Sequence, residues 1–223
     1  MKVSTLEAGI NANGIHINSD KNDLYVLRRC IIYLQRHLYR YPCFDSETLR
    51  LLCWVLGEDM LQLGNFLLTL ADANTKANFE EQLKECKLNP DDYAHDLAEM
   101  IRKAKSIRKN SLLKFVSDLM KRKLKSIRCG GNAEIKKNVM ALKTMFGLTD
   151  REMEFCEFLF IASTYDAAEN FFTNHLECHK YSGRKYLANV LGINMQQLHR
   201  ATYGSLKRIG LFEIDNPDDL DYK

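Results

Sequence analysis

Proline occurs only three times in 223 residues, at Pro42, Pro90 and Pro217, and glycine is sparse until the pair Gly130-Gly131. Proline removes a backbone donor and clashes with the turn before it, so its scarcity lets long helices run unbroken. The chain therefore reads as mainly α. A composition of 46% hydrophobic and 27% charged residues excludes disorder, collagen-like repeats and disulfide scaffolds, and the length suits one or two domains with real cores.

Leu24, Leu27, Ile31, Leu34 and Leu38 step by three and four residues, which marks one face of a helix ending before Pro42. Two heptads suit a core face better than a dimer seam. A second helix, capped by Asp45 or Ser46, carries Leu49, Leu52, Cys53 and Leu56 and then Leu61, Leu67 and Leu68, with Gly57 or Gly64 able to split it. Asn89-Pro90-Asp91-Asp92 combines a capping residue, an N1 proline and acids at the positive end of the helix dipole, so a helix begins there. After Asn110 and Ser111, Leu112, Phe115, Val116, Leu119, Met120 and Ile127 share the next apolar face.

Between Arg102 and Arg128 lie eleven Lys and Arg against one acid, Asp118, while the whole chain carries only +3. The candidate basic patch is Lys114, Lys121, Arg122, Lys125 and Arg128. A solvated helix face, phosphate contact with nucleic acid, and an acidic protein partner are the three readings of such a belt. The expected organisation is a polar tail over residues 1–20 that need not be ordered, a helical domain over 21–130 containing the basic helix, and a second domain over 131–223 with an acidic C-terminal linker.

In the second domain, Phe146-Gly147-Leu148-Thr149-Asp150-Arg151-Glu152 has the form of a capping box, and Leu148 can staple to Met153. One long helix through residue 177 is expected after it, from Phe155, Phe158, Leu159, Ala162, Tyr165, Ala168, Phe172 and Leu176. After a break at His179–Ser182, a short helix containing Tyr186, Leu187, Val190 and Leu191 leads to the turn Gly192-Ile193-Asn194 and a helix from Met195 to about Ile209. That succession is a helix-turn-helix, and the alternating Gly210–Asp215 segment would make it winged. The fold class expected is all-α, a helical bundle followed by a winged helix-turn-helix with a short β-wing. Placed at 100° per residue, Met195, Leu198, Thr202, Ser205 and Ile209 face inward, and Gln196, Arg200, Tyr203 and Lys207 form the candidate recognition face. Glu213, Asp215, Asp218, Asp219 and Asp221 in and after the wing would repel phosphate.

The runs MFGLTDREMEFCEFLFIAS and SGRKYLANVLGINMQQLHRATYGSLKRIGLFEID resemble the winged-helix segment just ahead of the ATPase module in a group of bacterial AAA-type ATPases. The matching positions are Phe146, Gly147, Leu148, Thr149 and Glu152, then Leu187, Ala188, Leu191 and Gly192, then Leu206, Gly210, Leu211 and Phe212, within about residues 140–215. The resemblance implies a non-catalytic recognition or adaptor region of a larger ATPase, truncated before its nucleotide-binding module, which would lie in cis. None of the eleven glycines is followed by lysine, so the phosphate-cradling G-x-x-x-x-G-K-[ST] loop is missing and this chain is not expected to be an enzyme. The alternative is a stand-alone winged-helix DNA-binding regulator. The partner expected first is a protein or a second copy of the chain, with nucleic acid possible in principle and no membrane.

Chemical sites are few. His175, Cys178 and His179 could offer ligands from one helix turn, but a metal needs a fourth ligand that no second cluster supplies. Seven scattered cysteines, an odd number, argue for free thiols, and no signature surrounds any of them that would mark a nucleophile. Trp54 sits among Leu51, Leu52, Val55 and Leu56 as a core residue would. Neither a metal nor a cofactor is expected. Apolar runs such as Phe158 to Ala162 fall far short of the roughly 20 residues needed to span a bilayer, and the N-terminus has no secretory pattern, so the expected location is cytoplasmic.

Overall fold

A computed structural model of the chain describes residues 9–10, 16–17, 21–71, 76–77, 90–103, 108–127, 133–178, 183–208 and 210. Helix α1 spans Lys21–Arg40. Leu27, Ile31, Leu34 and Leu38 are buried as their spacing requires, and so are Val26, Cys30, Tyr33 and His37. Together they cover an arc of roughly 160°, which makes α1 the central helix rather than a surface one.

The carboxylate of Asp45 accepts a 2.8 Å hydrogen bond from the Thr48 amide and opens α2, Ser46–Leu56. Gly57, at φ +57°, ends it in a conformation that L side chains rarely adopt. A 3-10 turn, Gly57–Asp59, leads into α3, Met60–Leu70, with Gly64 in its interior. Within α3, Leu61 and Leu67 stand about 120° apart around the axis, so Leu67 is buried while Leu61 is 44% exposed. Ser46–Leu70 has the length and hydropathy of a membrane span, yet it is broken at Gly57 and 56% of its most apolar window is buried inside the fold.

Helix α4, Pro90–Lys103, starts at its proline and packs along α2 with Tyr93, Ala94, Leu97 and Met100 buried. Helix α5, Lys109–Ser126, turns Leu112, Val116, Leu119 and Met120 inward, and Phe115 stacks on Phe66 at 4.0 Å with the rings 3° from parallel. Helix α6, Glu134–Phe146, ends on left-handed Gly147 (φ +62°) and is followed by α7, Asp150–Thr164, whose start is the capping box anticipated from Thr149 and Glu152.

The single long helix expected through residue 177 is instead two, because Tyr165 is extended (φ −115°, ψ 108°) and α8 begins anew at Asp166–Cys178. The Tyr165 ring lies 5.8 Å from that of Trp54, and its carbonyl accepts from the amides of Ala168 and Glu169. Packing of one aromatic ring against α2 thus overrides an apolar period that runs straight through it. Helices α9, Gly183–Leu191, and α10, Met195–Tyr203, follow. The helix expected to reach Ile209 is likewise interrupted, at Gly204, and α11, Ser205–Arg208, continues as a separate turn.

The fold is all-α. The β pairing among the described residues is a two-residue antiparallel ladder, Gly9–Ile10 with His16–Ile17. The anticipated wing beyond Gly210, the break at 179–182 and most of the boundary at 129–133 lie outside the described residues. One cluster of buried apolar side chains runs from Val26 to Leu206. Helix α1 joins its parts, packing on α5, α6 and α9, while Tyr33 meets Phe158 edge-on at 5.2 Å and Phe172 at 6.3 Å.

Candidate recognition surface

Two short helices and a tight turn form the C-terminal unit, and each junction has a side-chain reason. Gly192 turns the chain at φ +68°, with the Gly192 amide donating to the Asn189 carbonyl at 3.1 Å and the Ile193 amide to Ala188 at 3.0 Å. Asn194 and Gln197 form a reciprocal capping box, each side chain accepting from the other's amide at 2.8 and 2.9 Å. Arg36 of α1 fastens this unit to the bundle. Its guanidinium donates to the carbonyls of Val190 (3.2 Å) and Leu191 (2.8 Å), which close α9, and to Glu154 of α7 at 2.9 Å. The left-handed backbone requires glycine at 192, and a Cβ there, 2.8 Å from Arg36 Cζ, would push the guanidinium out of place.

Gln196, Arg200 and Lys207 are exposed on the outer side, as the helical placement anticipated, and Tyr203 is half-buried. Tyr203 collects its neighbours. Arg184 donates to its hydroxyl at 3.0 Å and stands 5.7 Å from its ring centroid, Lys207 Nζ lies 5.3 Å from the ring, and His199 stacks on it at 4.7 Å. The inward arc is corrected to Leu198, Ala201, Thr202 and Leu206, all buried. Met195 is 46% exposed because it opens α10 ahead of the first packed turn. The side chains of Ser205 and Ile209 lie outside the described residues.

Behind this face, between the start of α7 and the end of α10, is a cleft of about 600 Å³ lined by Arg151, Arg200 and Arg208 with Thr149, Gln197 and Tyr203. Its acid, Glu152, is 5% exposed, and one carboxylate oxygen is held at 2.8 Å by both the amide and the hydroxyl of Thr149. Gly204 permits the walls to meet, since a Cβ there would fall 2.2 Å from the Arg200 carbonyl oxygen. Periodicity on α10 alone could not find Arg151 or Arg208, which come from other helices. A local count could have pointed to the region: residues 183–208 contain Arg184, Lys185, Arg200, Lys207 and Arg208 and no Asp or Glu.

Of the candidate basic patch, Lys114, Lys121, Arg122 and Lys125 are exposed on α5, and Arg128 lies outside the described residues. Lys121 reaches Asp118 at 3.3 Å, whereas Lys123 turns inward to the Leu56 carbonyl (3.1 Å) and Asp59 (3.6 Å). Helix α5 packs on α1 and α2, and α10 packs on α7 and α9, so the candidate patch and the candidate face have separate neighbours.

Between α1 and α7, Arg29 pairs with Glu157 at 2.8 Å and Glu154 at 3.0 Å. Burial raises the Glu157 carboxyl above its ordinary range despite the guanidinium beside it. Trp54 is buried as expected. Cys30, Cys43, Cys53 and Cys156 are free thiols, and burial raises the pKa of the Cys30, Cys43 and Cys156 thiols, which suppresses the nucleophilic thiolate. His175 Nδ1 bonds the Phe171 carbonyl at 2.9 Å, and its ring packs on that of Phe171; Cys178 and His179 side chains lie outside the described residues. Among the described residues no three His, Cys, Asp or Glu side chains are grouped to hold a metal. No protein-family model, curated protein or solved structure matches this chain.

Proposed function

We propose that the chain is a non-catalytic recognition and adaptor region, of the kind that stands ahead of the motor in AAA-type ATPases, with the α9–α10 unit as the core of a winged helix. The observation that carries this reading is the outer side of α6, the helix leading into the segment that resembles those proteins. α6 fully buries only Val139 among its described side chains and leaves Met140 43% and Met145 73% exposed. Methionine adapts its shape at protein-binding surfaces, and two exposed methionines on this helix support a protein partner. Light scattering on the purified chain and on Met145→Glu tests the surface: salt-insensitive association that the substitution abolishes supports the reading. A coding sequence that continues past codon 223 without a G-x-x-x-x-G-K-[ST] loop sinks the ATPase assignment.

A second reading, binding of duplex DNA through α10, is favoured by the five cations and no acids of residues 183–208. Fluorescence anisotropy with a labelled duplex tests it. Loss of affinity on joint substitution of Arg200 and Lys207, with a steep salt dependence in the parent, is the expected result.

A further inference from the structure

We infer that the outward face of α5 is a docking strip for the backbone of a nucleic-acid duplex, held by Lys114, Lys121 and Lys125 with Arg122 beside them. This surface is not that of α10, and the inference goes beyond both readings above. At 100° and 1.5 Å per residue, Lys114, Asp118, Lys121 and Lys125 fall within an arc of about 60° along about 16.5 Å of helix, with Arg122 about 40° further round. All five are exposed. The buried side chains of α5, Leu112, Val116, Leu119 and Met120, occupy the opposite side, so the packing of the helix against α1 and α2 turns the strip away from the core.

The lysines of α5 divide by side. Lys123, on the inward side, is met by the Leu56 carbonyl at 3.1 Å and by Asp59 at 3.6 Å. The outward cations share the one acid of the helix, Asp118, which lies 3.3 Å from Lys121. Among the described residues no carboxylate lies within 4.0 Å of Lys114, Arg122 or Lys125. A helix face so unbalanced in charge attracts a polyanion. The rest of the face selects which one. A protein partner needs an apolar centre to desolvate, an anionic membrane an apolar anchor, and a single strand aromatic rings on which its bases stack. None of the large apolar side chains exposed among the described residues lies on α5, and Phe115 is occupied by its stack on Phe66. A duplex needs none of these, because its bases are already stacked and it presents one charge per about 1.7 Å of axis. Lysine, a flexible point charge, contacts phosphate without reading a base edge. The occupant is therefore duplex, bound without regard to sequence.

The test is a salt titration of the full chain with labelled duplexes of two unrelated sequences. It is repeated for Lys114→Gln/Lys121→Gln/Lys125→Gln, for Asp118→Asn and for a Lys136→Gln/Lys137→Gln control on α6. Each phosphate contact contributes about 0.9 to the slope of log affinity on log salt. The triple substitution is expected to lower the slope by about 2–3, and the α6 control to leave it unchanged. Asp118→Asn should tighten binding severalfold, a gain that misfolding cannot imitate, and the two duplexes should bind alike. Binding by the parent with an unchanged slope in the triple variant overturns the inference and leaves the α10 reading standing. An equal loss of slope in the α6 control makes net charge the cause and overturns it too. No duplex binding by the parent at low salt overturns this inference and the α10 reading together. Tighter binding to polyglutamate or to anionic vesicles at the same ionic strength overturns the choice of occupant. All the substituted side chains are exposed, and matched circular dichroism establishes that the variants are folded.

Discussion

Arg36 and Arg29 sit two turns apart on α1, and each carries its positive charge into a crowded interior. Arg36 closes the end of α9 with two carbonyl contacts and Glu154 with a third. Hydrogen bonds to a charged group contribute about 1.5–3 kcal/mol each, discounted here because the Arg36 side chain is one-third exposed. Arg36→Ala should therefore lower stability by about 2 kcal/mol, read from the urea midpoint at unchanged m-value. At Arg29 the consequence depends on pH. The folded Glu157 carboxyl has a pKa above its unfolded value, chiefly through burial, so the stability it contributes is greatest below the unfolded pKa and is lost as pH rises through the folded one. Arg29→Ala leaves that 3%-exposed carboxylate without its cation, a loss of about 3–5 kcal/mol near neutrality. The loss should shrink as pH is lowered from neutrality into the acid range and the carboxyl takes up its proton, and Arg29→Ala/Glu157→Gln should flatten the profile. An equal loss at neutral and at acid pH would contradict this account. The residues that made such pairs were present in the sequence, but pairs more than 100 positions apart, such as Arg29 with Glu157, leave no local spacing to read.

Helix starts were legible because their determinants are local: Asp45, Pro90, Thr149 with Glu152, and Asn194 each lie within three residues of the amides they satisfy or replace. Helix breaks were less so. Gly57 and Gly192 announce themselves, but Tyr165 breaks a helix through its contact with Trp54, which lies more than 100 residues earlier. The exposure of Gln196 and Arg200 was legible from the period of α10, whereas the cleft draws on three helices whose mutual placement no period encodes. Gly204→Ala tests the second break. A Cβ 2.2 Å from the Arg200 carbonyl forces α10 and α11 apart, with a stability loss of about 1–3 kcal/mol and separation of Lys207 from Tyr203. Proton shifts of the Tyr203 ring in NMR spectra should record that separation, and unchanged shifts would show that the backbone accommodates alanine in place.

Across the whole molecule, the buried cluster continues through both halves of the chain, and α1 is the element each half packs against. Unfolding should therefore be one cooperative transition, with far-UV circular dichroism and tryptophan fluorescence superimposing. Trp54 is the sole tryptophan, and its contact with Tyr165 bridges the two halves, so its emission reports their docking. Two separated transitions would show that the halves fold independently. A fragment of residues 133–223 lacks α1 and with it Arg36 and Tyr33, and is expected to show no cooperative melt. The closeness of Arg36 to Gly192 has a consequence for descent as well as for stability. With 2.8 Å between the guanidinium carbon and a Cβ placed at 192, the constraint runs one way: a lineage that gains a side chain at 192 must move or give up the arginine, whereas one that loses the arginine still needs glycine for the left-handed backbone there. Glycine at 192 is therefore expected wherever Arg36 stands, 156 residues earlier, while the arginine is free to change behind it.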